Sequence, residues 1–361
     1  MLKHISIVFL FSFLLVDRIL LSQEARVTDS LGGNTGVSIS ESEMIALAEK
    51  SMDDLIQADE FSGTLLIAKS GKPIFQKAYG LASQEFNVPN LTDTKFNLGS
   101  INKTFTQMAI GQLVANGKLD YDDKLGKHLP DYPNKEAAEK VTIRQMLSMS
   151  SGIGDFFGPK FESIPKDKLR SIKDFLSLFA EEPLAFEPGS RQQYSNGGYI
   201  VLGAIVEQVS GQDYYSYVRE NIYQPAGMND TDWYEADKPT PNLANGYTRE
   251  GRDDLRVNNI YTRPARGSPA GGGYSTAPDL LKFAIALQNG KLTSLDFRNP
   301  KAGKVGTFGG LGIAGGAPGI NAVLEIGPPE GYTIIVMSNY DPPSAETVAK
   351  NIRGLIKRVK K

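Results

Sequence analysis

The chain of 361 residues has no cysteine, two histidines and a single tryptophan. Without cysteine there is no disulfide framework, no thiolate for a metal and no lipid anchor on a cysteine. His4 lies in a leader-like stretch, so His128 is the one histidine left in the body of the chain, and a His/Cys metal site has nothing to build on. No Gly-x-Ser-x-Gly elbow occurs. A Ser-His-Asp triad would therefore need His128, which sits in loop-like residues 123–130 and reads as a bystander. Net charge is −2, and no long basic run precedes the short tail 357–361. Nucleic acid is not an expected partner. A hydrolase on this chain would use an amine or a phenol as its base.

The N-terminus has the grammar of export. Lys3 and His4 precede an apolar run over 5–16 that is short for a membrane span, and Asp17 and Arg18 break it. Residues 1–22 are read as a secretory signal with cleavage near Ser22 and Gln23; an uncleaved anchor is the alternative, and the only expected membrane contact. Polar residues 23–43 form a flexible lead-in. Residues 44–361 suit one domain, periplasmic or secreted.

Hydrophobic spacing then gives the elements. A helix is predicted over 44–59, followed by a hairpin of 63–69 and 74–79 about Gly71 and Pro73. Helices are predicted over 143–149, 172–180, 198–209, 214–222 and 278–288, the last capped by Ser275 or Thr276 with Pro278 early. A second hairpin, 322–326 and 332–338, precedes a closing helix over 345–358. Strands at both ends with helices between predict an α+β fold: one antiparallel sheet assembled from the N- and C-terminal segments, flanked by helices. A mainly helical lobe over about 119–275 packs beside it, with the site in the cleft.

Two constellations carry chemistry. Ser100 and Lys103 open a helix predicted to be amphipathic, with Ile101, Phe105, Met108, Ala109 and Leu113 as its apolar stripe and Gly117 at its end. A three-residue offset puts hydroxyl and amine on one face, and the unpaired N–H groups of the first turn favour an alkoxide or oxyanion. The other Ser-x-x-Lys, Ser163 to Lys166, lies in a charged stretch without an apolar face. The second constellation is Tyr194 and Asn196, on a loop entering a helix at Gly198. A phenol can relay a proton, and an Asn amide both donates and accepts. Tyr132 with Asn134 repeats the Tyr-x-Asn spacing, and Tyr199 is a competing aromatic.

Taken together, Ser100-Ile101-Asn102-Lys103 and Tyr194-Ser195-Asn196 resemble the first and second motifs of the serine β-lactamase-like superfamily. The branch resembled is that of class C β-lactamases, D-alanyl-D-alanine carboxypeptidases and related esterases. Residues 141–152, 270–280 and 336–339 are similar to further family segments in the same order, so the resemblance spans about 44–355. It implies an acyl-enzyme on Ser100, with Lys103 and Tyr194 as proton-transfer groups and no cofactor or metal. It leaves open which of the two is the acylation base. It further implies that Asn196 holds the substrate, a small or peptide-like acyl compound. The Ser100 N–H would form half of an oxyanion hole.

The third family motif departs. Ile313 stands where the family has a cation, while Gly315 and Gly316 remain, with Gly316 able to offer the second oxyanion N–H. Loss of a cation removes a charge-assisted grip on a substrate carboxylate. The expected substrate is therefore an ester or amide without the carboxylate of a β-lactam, unless Lys304 or another cation enters from elsewhere. The alternative is a pseudoenzyme that binds a ligand or cell-wall fragment in the same cleft. Phe156, Phe157, Trp233 and Tyr247 are read as packing rather than pocket.

Overall fold

Ser40 opens the folded body by capping the first helix: its hydroxyl accepts from Glu43 N and Glu43 reaches back to Ser40 N, a reciprocal cap worth about 1 kcal/mol. The computed structural model describes residues 38–249, 255–292, 310–328 and 330–360. Helix α1 spans Glu41–Gln57, and strands β1 (Gly63–Lys69) and β2 (Lys72–Tyr79) form the first hairpin. Helix α2 spans Asn102–Ala115, α3 Asn196–Ser210 and α4 Ala277–Gln288. Strands β3 (Leu311–Ala317), β4 (Ile320–Ile326) and β5 (Tyr332–Ser338) precede α5 (Ser344–Ile356).

The expected sheet is present. Its order is β2-β1-β5-β4-β3, with every pairing antiparallel, so β1 from the N-terminal segment sits beside β5 from the C-terminal one, Leu65 opposite Val336. Period-two alternation divides the strand side chains between two cores. Leu65, Ile67, Val323, Ile334 and Val336 pack under α1 and α5 with Met44, Met52, Val348 and Ile352. Leu66, Leu324, Ile335 and Met337 face the other way, against α2, α4 and the helical lobe. Both faces are covered, which is why β1 and β5 read as nearly unbroken apolar runs.

Several elements differ from their predicted form. The lead-in is ordered sooner than expected: Ile39 is buried and bridges to the C-terminal end through Arg358 O and Lys360 N. Helix α2 is not amphipathic. Asn102, Lys103, Thr104 and Thr106 are buried together with Phe105, Met108 and Leu113, because the helix runs between sheet and lobe with protein on nearly every side. The helix predicted over 172–180 stops at Leu176, where the Ser177 hydroxyl takes Asp174 O at 2.6 Å and competes with the backbone ladder. The one predicted over 214–222 is α-helical only to Val218 and continues as a wider π turn, Arg219–Tyr223. The signal 1–22, most of the lead-in, and Lys304 lie outside the described residues. Among the described residues no helix is long and apolar enough to cross a membrane.

Candidate active site

Ser100 sits in a tight turn, Gly99–Ile101, that feeds directly into α2. Gly99 takes a left-handed conformation at φ +50, which the absent side chain permits. Asn97 Oδ1 accepts Gly99 N, and Leu98 O accepts Ile101 N, so this turn is braced on both sides of the serine. Lys103 follows one turn later and is 6% exposed.

The expected proximity is present. Lys103 Nζ lies 3.1 Å from Ser100 Oγ, 2.7 Å from Asn196 Oδ1 and 2.6 Å from Ala270 O. The Tyr194 hydroxyl is 2.5 Å from Ser100 Oγ. The amine also lies over two aromatic faces, 4.8 Å from the Tyr194 centroid and 5.5 Å from that of Tyr199. Burial drives the Lys103 amine down to about 7, opposed by the negative charge of Asp155. Tyr194 is half exposed, and desolvation of its hydroxyl pushes the phenol up to about 12 despite the bond to Ser100.

Carbonyl oxygens only accept. Asn196 Oδ1 and Ala270 O therefore bind two N–H groups of the lysine whether it is charged or neutral. The third tetrahedral position faces Ser100 Oγ: an N–H in the ammonium, a lone pair in the neutral amine. An amine held this way can take the serine proton without turning.

Each partner is delivered by its own packing. Thr106 Oγ1 donates to Pro269 O at 2.7 Å and Asn102 Oδ1 accepts Gly273 N at 2.9 Å, so three polar side chains of α2 (Asn102, Lys103, Thr106) bind the loop that carries Ala270. Tyr194 precedes α3, whose cap Ser195 accepts Gly198 N and donates to Gly154 O at 2.8 Å. Gly315 on β3 lies against the serine turn and is buried, while Gly316 N approaches Gly99. The two-residue turn Pro318-Gly319 makes Ala317 and Ile320 the closing pair of the hairpin. Alternation then leaves Gly316 opposite Asn321 as a non-hydrogen-bonded pair, with its N–H turned to the open side of β3. Ile313, two positions before Gly315 and on the same face of β3, is half-buried and packs on the core.

The competing matches are accounted for locally. Lys166 donates to Phe161 O and Ile164 O, and Ser163 to Lys160 O. His128 pairs with Asp123 at 2.8 Å. Asn134 caps the helix Lys135–Lys140, and Tyr132 is buried. Tyr199 bridges Gln107 and Leu147 O. Trp233 stacks on Tyr223 and donates to Ser268 O, Tyr247 binds Glu85, and Phe156 packs in the core; Phe157 is exposed. Sequence reasoning missed two contributors. Ala270 acts through its carbonyl, which no residue type signals. Asp155 accepts from both nitrogens of Asn196 across the chain, a contact without any local pattern. Among the described residues no group of three or more His, Cys, Asp or Glu is placed to hold a metal ion.

A family model described as Beta-lactamase matches residues 47–356. The chain is 30% identical over 299 residues to penicillin-binding protein 4* of Bacillus subtilis (strain 168), covering 78% of this chain and 64% of that one, so it spans less than two thirds of that relative. It is also similar to the solved penicillin binding protein from Bacillus halodurans: 31% identity, TM-score 0.75, 85% of this chain and 98% of that chain. The D-amino acid amidase of Ochrobactrum anthropi SV3 shares the fold at 22% identity, with TM-score 0.71 over 87% of this chain and 99% of its own.

Proposed function

The chain belongs to the Beta-lactamase family of serine hydrolases, and on that footing we propose that it is an exported hydrolase that forms an acyl-enzyme on Ser100. The observation that carries this is the three-point hold on Lys103, with two carbonyls fixing its N–H groups and the remaining position on Ser100 Oγ.

In this reading the neutral Lys103 amine removes the Ser100 proton as Oγ attacks the substrate carbonyl carbon. Lys103 is favoured over Tyr194 as the base, because an amine near 7 is partly neutral at physiological pH whereas a phenol near 12 is not ionised there. The negative oxygen of the tetrahedral adduct takes the N–H groups of Ser100 and Gly316. The Tyr194 O–H, 2.5 Å from Oγ, gives its proton to the departing oxygen or nitrogen and regains one from the Lys103 ammonium. The C–O or C–N bond breaks, the acyl group stays on Oγ, and water attacking that ester reverses the proton path to release the acid. Asn196 also faces the cleft and can bind the acyl side.

The apolar Ile313, two positions before Gly315 on the same face of β3, supports an ester or amide that lacks the carboxylate of a β-lactam. Export rests on the leader-like residues 1–22.

The test is intact mass after exposure to a fluorophosphonate, for the wild type and Ser100→Ala, followed by a panel of esters and amides. One adduct on the wild type and none on the variant, with turnover of a panel member lost in the variant, is the expected result. No adduct on either protein overturns the hydrolase reading and favours a cleft that only binds.

A further inference from the structure

Asp155 lies in the loop after Ile153 and takes no part in the proton path described above, yet it reaches the same cluster. Its Oδ2 accepts from Asn196 Nδ2 at 2.7 Å and from Asn196 N at 3.2 Å. Its Oδ1 accepts Phe157 N at 3.1 Å, which braces the carboxylate from its own side. The loop is further fastened to the start of α3 by Ser195 Oγ on Gly154 O at 2.8 Å. Gly197 closes against the same carbonyl, where a Cβ would stand 2.4 Å away.

We propose that Asp155 is a positioning residue that locks the Asn196 amide with Oδ1, and not Nδ2, facing Lys103. The inference rests on the hydrolase reading of Ser100 and Lys103. A carboxylate only accepts, and an ammonium only donates. The amide stands between them, so one orientation satisfies both neighbours. The flipped one would put Nδ2 against the lysine and Oδ1 against the carboxylate, two repulsive contacts in place of two hydrogen bonds. With Oδ1 fixed, one Lys103 N–H is committed to it and another to Ala270 O, and the position toward Ser100 is set. A freely rotating amide would offer the lysine a donor part of the time and lose that direction.

The same carboxylate has an electrical consequence. The ionisable groups that face or couple to Lys103 are Ser100 on its own turn, Tyr194 and Tyr199 from the loop and helix α3, and Asp155 from the neighbouring loop. Among the described residues Asp155 is the carboxylate in this set, and it opposes the desolvation of the ammonium. Orientation and charge are thus supplied by one side chain and can be separated by substitution. Asp155→Asn removes the charge and keeps one acceptor oxygen for Asn196, with its amide NH2 then facing Phe157 N in place of Oδ1. Asp155→Ala removes both.

Lys103 is titrated through its 13Cε resonance, assigned by its absence in Lys103→Arg, and Ser100 labelling by a fluorophosphonate is timed as a function of pH. Asp155→Asn is expected to lower the Lys103 midpoint by about one pH unit, the scale of one nearby opposite charge. Asp155→Ala is expected to lower it as well, and to cut the plateau labelling rate at high pH about tenfold or more through loss of alignment. Asp155→Asn, which keeps the acceptor for Asn196, should recover part of that plateau loss. A Lys103 midpoint unmoved by Asp155→Asn, or a plateau in Asp155→Ala equal to the wild type with Tm unchanged, overturns the proposal. If the wild type itself takes no label, the hydrolase reading fails, while the Lys103 titration still decides the electrical part for Asp155.

Discussion

Gly315 and Ser100 meet through backbone alone: a Cβ at position 315 would stand 2.1 Å from Leu98 O and 2.7 Å from Ser100 N. Neither atom belongs to a flexible side chain, so Gly315→Ala must push β3 away from the serine turn. The expected cost is about 1–3 kcal/mol of stability, as for other forced overpacking. Turnover should fall by about a hundredfold, because the Gly316 N–H leaves its place relative to Ser100. Thermal unfolding and labelling kinetics check this; a variant with wild-type rates would mean that β3 does not shape the site.

The pH dependence follows from Lys103. A base held near 7 gives kcat/KM an acid limb at about pH 7, with activity lost below it as the amine is protonated. Tyr194, raised to about 12, adds no basic limb below about pH 10. Stability moves the same way. The folded protein holds Lys103 neutral from about 7 upward, whereas the unfolded chain protonates it up to about 10.4. Between those values the unfolded state binds more protons, so this group makes stability rise with pH. Chemical denaturation at pH 7 and 9, for the wild type and Lys103→Met, isolates the contribution: the variant should lack this rise.

Tyr194→Phe separates the two proton-transfer roles. A general acid matters most for a poor leaving group, so amide turnover should fall about 10²- to 10⁴-fold. A p-nitrophenyl ester, whose leaving group departs as a stable anion, should lose far less. Equal losses on both substrates would indicate that the phenol, not Lys103, removes the Ser100 proton.

Ile313→Lys tests the departure in the third motif. The wild type should acylate slowly with nitrocefin. An ammonium at this position on β3 should raise its kcat/KM about tenfold or more, the scale of one charge-assisted hydrogen bond. Efficient nitrocefin hydrolysis by the unsubstituted protein would show that another group supplies the grip.

Much of this architecture was legible in advance. The hairpins, α1, α3, α4 and α5 follow from apolar periodicity, caps and turn residues, all of which act over a few positions. The sheet built from both ends follows from strands clustered at the two termini. Boundaries slipped where side chains competed for backbone groups, as at Ser177. The character of α2 was misread because its polar residues look solvent-facing in sequence, yet Asn102, Lys103 and Thr106 are the ones that bind the 269–273 loop.

The sequence by itself determined that Ser100 and Lys103 share one face at the start of α2, since a three-residue offset puts neighbouring side chains one turn apart; the aim of the amine at the hydroxyl comes from Asn196 and Ala270. It also determined the absence of any thiol and the apolar side chain at position 313. Tertiary structure alone decided the rest. Tyr194 reaches Ser100 across 94 positions, and Ala270 O reaches Lys103 across 167. Asp155 reaches Asn196 across 41. Such contacts depend on which faces the core buries, not on spacing along the chain. The basicity of Lys103 belongs to the same class, because desolvation is a property of the protein packed around an amine and not of the residue that carries it.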